Sequence, residues 1–284
     1  MMKTKVEDPI LSLSNPERMK DIESRIQSLA DMDGPQSVLL YGRSGTGKTT
    51  IAGTFPGPVI FLDIAEKGTS SVSDVVGGKG FRVENWEDFE TMYWFLRAGN
   101  HPYKTVVVDT VTMLQKFARE YILEQNGKEK NGVMNRSLWG QVAHLLSAWL
   151  INYRDLPMHT VFTAQDRSTD EEENANEDQV IQEVGPRLSP SVAASLTAAV
   201  KIIGNTYIKE FVKVTSDGKT EKIYSFRLRI GPHALYLTKV RKAKSIILPN
   251  SINDPTYDKL MKAISPKAPI PVLEEPHVNN PPTN

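Results

Sequence analysis

Hydrophobic positions in this chain fall into two alternating patterns. Short apolar or β-branched runs stand at 38–41, 59–62, 105–108 and 160–163, each short enough for a buried strand. Between them the spacing turns helical. Trp86, Phe89, Tyr93 and Leu96 repeat every three to four residues, as do Val142, Leu145, Leu146 and Trp149 within 138–150. Those aromatics read as core rather than as platforms for stacked bases. Strands separated by helices imply a parallel sheet with crossover connections.

The pattern changes after residue 199. Apolar runs at 199–203, 207–214, 223–230 and 234–240 follow one another without long intervening helices, and Asp217-Gly218 supplies a hairpin turn. The expectation is an antiparallel meander extending one edge of the parallel sheet. Asp254-Pro255 then opens a last helix carrying Tyr257, Leu260, Met261 and Ile264. At the other end, Pro16-Glu17-Arg18 starts a short polar helix with Ile22, Ile26 and Leu29 on one face, stopped by Gly34-Pro35 and expected to pack on the core or a neighbour. From Ser265 onward six prolines and few large apolar residues read as a disordered tail. The expected organisation is a helical preamble over 1–33, an α/β domain over 34–264 and a Pro-rich tail over 265–284.

Composition narrows the function without choosing it. The 284 residues include 34 basic and 34 acidic side chains, so any contact with a polyanion must come from a local patch. There is no cysteine, which excludes a disulfide scaffold, a thiolate zinc site and a cysteine nucleophile. The N-terminal segment lacks an apolar signal region and no run approaches the length of a membrane span, so the expected location is cytoplasmic, with no membrane partner.

The chemistry enters immediately after the first strand. Gly42-Arg43-Ser44-Gly45-Thr46-Gly47-Lys48-Thr49 fits G-x-x-x-x-G-K-[ST], with Thr50 continuing into a helix. A loop that wraps a triphosphate must point successive N–H groups inward, and Gly42, Gly45 and Gly47 supply the backbone freedom. Lys48 is placed to reach the β and γ phosphates, and the Thr49 hydroxyl to ligate Mg²⁺.

Other strand ends offer the remaining parts. The run at 105–108 ends in Asp109, the expected Walker B carboxylate of the Mg²⁺ shell. No glutamate follows it, so the general base is sought at the end of the second strand, where Glu66 is the first choice and Asp63 the substitute. Gln165 ends the fourth strand and is a candidate to contact the γ-phosphate or orient water. The segment from Asp170 to Asp178 is acidic and glycine-free, a solvated loop rather than a metal cluster. No guanine-reading N-K-x-D is present, so ATP is preferred to GTP. Lys239-Val240-Arg241, with Lys242 and Lys244, is a dense basic cluster. It is read either as a finger reaching a neighbouring subunit's γ-phosphate or as a contact to nucleic-acid phosphates.

Taken together, Leu39-Leu40-Tyr41-Gly42 into the Walker A loop, Phe61-Leu62-Asp63 with Glu66-Lys67-Gly68-Thr69, Val107-Val108-Asp109-Thr110, Thr163-Ala164-Gln165, Gly185-Pro186-Arg187-Leu188, Lys239-Val240-Arg241, Leu248-Pro249 and Asn253-Asp254-Pro255-Thr256 resemble one group. It is the phage RecA-like P-loop ATPases, often described as AAA-family proteins, which include the Sak-type single-strand annealing ATPases. The resemblance spans about 36–264. It implies a P-loop NTPase fold with a RecA-like, mainly parallel sheet flanked by helices. It also implies ATP hydrolysis with Mg²⁺ at the interfaces of a homo-oligomer, binding of single-stranded DNA, and annealing in phage recombination beside a single-strand-binding protein, in the host cytoplasm. Glu66 then matches the catalytic glutamate, and Lys239 with Arg241 the basic pair acting in trans.

Two other readings share the phosphate loop. A nucleotide-gated assembly or loader protein would use hydrolysis to time an interaction. A small-molecule kinase would need an arginine-rich lid, whereas 166–188 contains only Arg167 and Arg187 amid eight acidic side chains.

Overall fold

The structure is a computed structural model, and it describes residues 15–27, 34–65, 71–167, 184–214, 220–242 and 244–265. Contacts within the chain divide it into two units, 1–35 and 36–284. The first contains α1 (Pro16–Arg25), whose N-cap Asn15 accepts hydrogen bonds from the N–H groups of Glu17 and Arg18. This helix is shorter than expected. It ends at Arg25 because Ile26 turns extended, so Ile26 does not continue the apolar face, and Leu29 lies outside the described residues.

The second unit is built on β1 (Ser37–Tyr41), β2 (Val59–Ile64), β3 (Lys79–Val83), β4 (Thr105–Asp109), β5 (His159–Ala164), β6 (Ile202–Val214), β7 (Thr220–Arg229), β8 (Lys239–Val240) and β9 (Ser251–Asn253). Among the described residues they form one sheet in the order β3-β2-β4-β5-β1-β6-β7-β9, with β8 also on β6. The first six strands in that order are parallel neighbours, and β7, β8 and β9 pair antiparallel. The four expected parallel strands are all present. All five residues of β1 and of β4 are buried, as strands covered on both faces require.

Side chains alternate across the sheet and divide the core in two. Leu39, Tyr41, Val106, Val108 and Phe162 face a layer made by α3 (Trp86–Arg97), α4 (Val111–Gln125), α5 (Arg136–Arg154) and α6 (Pro190–Ala199). Val38, Leu40, Val107 and Val161 face α2 (Lys48–Gly53) and α7 (Tyr257–Ile264). Trp86, Phe89, Tyr93 and Leu96 are all buried, and Phe89 stacks on Tyr153 with ring centroids 4.3 Å apart. Trp149 is partly buried, edge-on to Tyr93. Their hydrophobic spacing therefore served the core.

The C-terminal half differs from expectation in four places. The runs at 199–203 and 207–214 are not two strands; Ile202 and Ile203 join 207–214 in the single β6, while Ala199 ends helix α6 and Val200 is its C-cap. At Gly204, between the two runs, a Cβ would lie 2.6 Å from Leu228 Cδ1, and its absence lets β7 close on β6. The run at 234–240 is strand only at its last two residues, because His233 Nδ1 accepts the N–H groups of Leu235 and Tyr236 and holds a local turn. The last helix is capped by Thr256 rather than opened by Asp254. The Asp217-Gly218 turn, the acidic segment 170–178 and the tail beyond 265 lie outside the described residues. The described helices include none long and apolar enough to cross a membrane.

Candidate nucleotide site

At the C-terminal end of β1 the chain enters the Walker A loop, and each of its glycines has a distinct reason. Gly42, at φ +155°, sits where a Cβ would come within 2.4 Å of both the carbonyl oxygen and Oγ1 of Thr206 on β6. The neighbouring strand presses on it, and its φ is one that L side chains rarely adopt. Gly45 and Gly47 adopt left-handed φ values of +78° and +87°, which L side chains rarely hold. Thr46 fastens the loop from outside, with Oγ1 2.8 Å from Arg43 O and 2.6 Å from Thr206 Oγ1. Beside the loop, a crevice of about 510 Å³ is lined by Arg43, Ser44, Asp166, Tyr207, Arg229 and Tyr236.

Lys48 opens α2 and is 7% exposed. Its Nζ donates to the carbonyl oxygens of Gly42 (2.7 Å) and Arg43 (2.8 Å), so its charge is held inside the curve of the loop. The next residue, Thr49, donates from Oγ1 to Asp109 Oδ2 at 2.8 Å. Thr163, at the end of β5, donates to the other carboxylate oxygen of Asp109. Strand β5 lies between the loop strand β1 and the Asp109 strand β4, which sets the spacing between these groups. The sequence reading did not select Thr163 as a site residue. Its signal was a hydroxyl in a fully buried strand, where a donor needs a partner.

The Thr49 hydroxyl and Asp109 carboxylate are hard oxygen donors, few in number, and that suits Mg²⁺, which keeps waters and phosphate oxygens in its shell. Asp109 does not cap the following helix; Thr110 does, accepting from the N–H of Met113.

Asp63 is buried at the end of β2 and is the register partner of Asp109 across the β2–β4 ladder. The substitute base thus stands beside the carboxylate expected to hold Mg²⁺. Glu66, the first choice, lies outside the described residues, two positions after Ile64 ends the strand. Gln165 follows β5. Its N–H donates to Thr112 Oγ1 (3.0 Å) in α4, and its carbonyl accepts the N–H of Arg187 (2.7 Å). Gln165 is therefore tied by its backbone to α4 on one side and to the loop at 185–188 on the other.

Lys239 and Arg241 are not brought to this site within one chain. Lys239 pairs with Ile203, and Arg241 N–H donates to Lys201 O, whose own N–H donates to Ser37 O at the start of β1. The cluster accordingly runs toward the sheet edge opposite the loop. There Lys239 Nζ donates to Thr197 O and Ala198 O, and Arg241 Nη2 to Ala198 O, capping the C-terminal end of α6. Partial burial, and then the neighbouring Arg241 charge, lower the Lys239 pKa.

A buried parallel sheet, a Walker A loop at the end of one strand and a carboxylate hydrogen-bonded to its threonine from another define a P-loop nucleoside triphosphatase. Residues 34–241 match the AAA domain family, and the chain belongs to that family of P-loop ATPases. No curated protein matches the chain at a significant level.

Proposed function

We propose that this ATPase acts on single-stranded DNA as a RecA-like homo-oligomer, in phage strand annealing or recombination. The observation that supports the DNA reading is a cleft of about 630 Å³ lined by Arg136, Arg167, Arg187, Trp139 and the first residues of α6, with no carboxylate lining it among the described residues. Arg136 and Arg167 form no ion pair among the described residues. Ser189 Oγ at the cleft is buried with no hydrogen-bond partner. Arginines with an exposed tryptophan suit phosphates and unstacked bases.

The cleft also meets the nucleotide site. Arg187 N–H donates to Gln165 O, and Ser189 N–H to Gln115 Oε1 on α4, the helix that follows Asp109. A change in Gln165 on γ-phosphate loss would pass into the cleft through that backbone. In the chemistry, Lys48 would hold the β and γ phosphates, Thr49 and Asp109 would hold Mg²⁺, and Glu66 or Asp63 would take the proton from the attacking water. Mg²⁺, when bound, supplies charge neutralisation between the β and γ phosphates. Lys239 and Arg241 would serve a neighbouring subunit's site, which accords with their distance in register from their own loop.

A second reading, a nucleotide-gated assembly or loader protein, is favoured by the exposed apolar side chains Ile208, Val212, Tyr224 and Phe226 on one face of the β6–β7 ribbon. Steady-state hydrolysis by the wild type and Lys48→Ala, with and without single-stranded DNA at two salt concentrations, separates the two. DNA stimulation that is salt-sensitive and lost in Lys48→Ala is the expected result. Lys48-dependent hydrolysis indifferent to DNA would instead favour the assembly reading.

A further inference from the structure

Beyond Asn205, which is level with Tyr41 at the end of β1, strand β6 leaves the parallel sheet and continues paired only with β7. Nine residues of each strand extend past that level in continuous register, a reach of about 30 Å at the usual rise per residue. Among the described residues β9 flanks it only at Arg227 and Leu228, and beyond them it is a two-stranded ribbon, which alone is marginally stable in water.

Its two faces differ in chemistry. Residues paired across an antiparallel ladder share a face, so Ile208, Glu210 and Val212 stand with Phe226, Tyr224 and Lys222. That face is apolar and its charges cancel, because Lys222 and Glu210 form an ion pair at 2.8 Å. On the other face Tyr207 pairs with Arg227, Lys209 with Ser225 and Phe211 with Ile223. Here the Lys209 ammonium and the Arg227 guanidinium lie over the Phe211 ring at 5.0 and 5.2 Å. Neither forms an ion pair among the described residues, and Arg227 Nε has no hydrogen-bond partner. Among the described residues Glu221 near the far end is a carboxylate on this face, and Asp166 lines the crevice at the near end with Tyr207 and Arg229.

The cationic face continues from the arginine cleft. From Arg187 the chain runs back through Pro186 and Gly185 to Val184, which bridges to Tyr236. Tyr236 stacks on Arg229 at 4.0 Å, and the same guanidinium lies 4.3 Å from the Tyr207 ring. Arg229 also donates to Asn205 Oδ1 at 2.6 Å, which locks this junction. Next along the ribbon come Arg227, Lys209 and Phe211. Cations alternate with aromatic rings, and Lys209 and Arg227 form no ion pair among the described residues, which is the arrangement a single strand with splayed bases requires and a neutral protein surface does not.

We propose that the Tyr207, Lys209, Phe211 and Arg227 face of the ribbon binds single-stranded nucleic acid as it leaves the arginine cleft. Lys209 and Arg227 hold phosphates, and one base stacks on Phe211. This rests on the DNA reading above, and it assigns a second segment of the path.

The test is equilibrium binding of full-length protein, by fluorescence anisotropy, to oligothymidylates of about six and about twenty nucleotides over a range of salt. Lys209→Ala with Arg227→Ala is expected to lower the slope of log affinity against log salt by about 1.4 for the long strand, at about 0.7 per phosphate contact. Phe211→Ala is expected to weaken long-strand binding roughly five- to hundredfold with the slope unchanged, as loss of one stacked base does. Short-strand affinity should fall only in Arg136→Ala and Arg167→Ala, and Val212→Ser on the opposite face should match the wild type. Wild-type protein that binds neither strand would overturn the DNA reading and the ribbon assignment together. Wild-type binding that the ribbon variants leave unchanged would overturn the ribbon assignment alone, with the cleft intact. Unchanged DNA affinity with a smaller assembly by light scattering would give this face to a second copy of the chain and likewise overturn the proposal.

Discussion

Thr49 and Asp109 are joined by a hydrogen bond of 2.8 Å from Oγ1 to Oδ2, linking the first turn of α2 to the end of β4 across the width of β5. The bond places the two expected Mg²⁺ ligands in contact with each other. Asp109→Asn keeps an acceptor for one hydroxyl but removes the charge. Turnover should fall on the order of 10² or more, as loss of preorganised charge stabilisation does, and the Mg²⁺ requirement should rise. Titrating Mg²⁺ in the hydrolysis assay checks this, and an unshifted midpoint would remove Asp109 from the metal shell.

Lys48→Ala removes the only side-chain cation held inside the Walker A curve among the described residues. Turnover should drop by on the order of 10²–10³. Calorimetric titration with a non-hydrolysable triphosphate checks whether binding is lost too, and retained turnover would place the active site elsewhere.

Gly42→Ala adds a packing clash to an unfavourable backbone φ, whereas Gly45→Ala tests the backbone preference alone. At Gly42 the new methyl meets Thr206 O and Oγ1, so the variant should lose about 1–3 kcal/mol from overpacking, with β6 displaced. At Gly45 nothing lies within 4 Å, and the cost is that of a left-handed alanine, about 1–2 kcal/mol. Chemical denaturation measures both. A Gly42 variant as stable as wild type would show that β6 is free to move from the loop.

His159 gives a pH dependence of definite sign. Its Nδ1 accepts the N–H of Gln36, its ring packs edge-on against Phe55 and Tyr257, and burial, followed by the Lys201 charge, lowers its pKa below 6.5. The unfolded chain therefore binds the proton first as pH falls. The contribution to stability is complete above 6.5 and is lost as pH drops through that value toward the folded pKa. Thermal unfolding of His159→Gln should lose less between neutral and mildly acid pH than the wild type, and equal losses would assign the acid sensitivity to other groups.

Arg241 caps α6 in its own chain, with Nη2 on Ala198 O. Arg241→Ala should bind nucleotide normally and lose on the order of 10³ in turnover if the guanidinium serves a neighbour. Mixing it with Glu66→Gln should restore activity in part, since some interfaces would then contain both intact groups. Failure to recover at any ratio would place each active site within one subunit.

The sequence by itself determined the elements whose signals are local. A Walker A loop is written in consecutive residues because the phosphate cradle is made of consecutive N–H groups, and β1, β2, β4 and β5 are continuous apolar runs because both faces of each are covered. Asp109 and Gln165 were legible for the same reason, as polar residues ending such runs. Other features depended on what stood next to what in space. Strand β3 is mostly exposed and carries little apolar signal, and α6 was not assigned from its sequence, its Val192 and Leu196 taking their meaning from the core they meet. The joining of two runs into β6 required Leu228 against Gly204, and the role of Gly42 required Thr206 from 164 residues further along the chain. Only the tertiary structure brought Thr163 to Asp109, carried Lys239 and Arg241 away from their own loop, and sorted the ribbon into an apolar and a cationic face. Strand order and pairing register fix those relations, and neither is encoded within any short stretch of sequence.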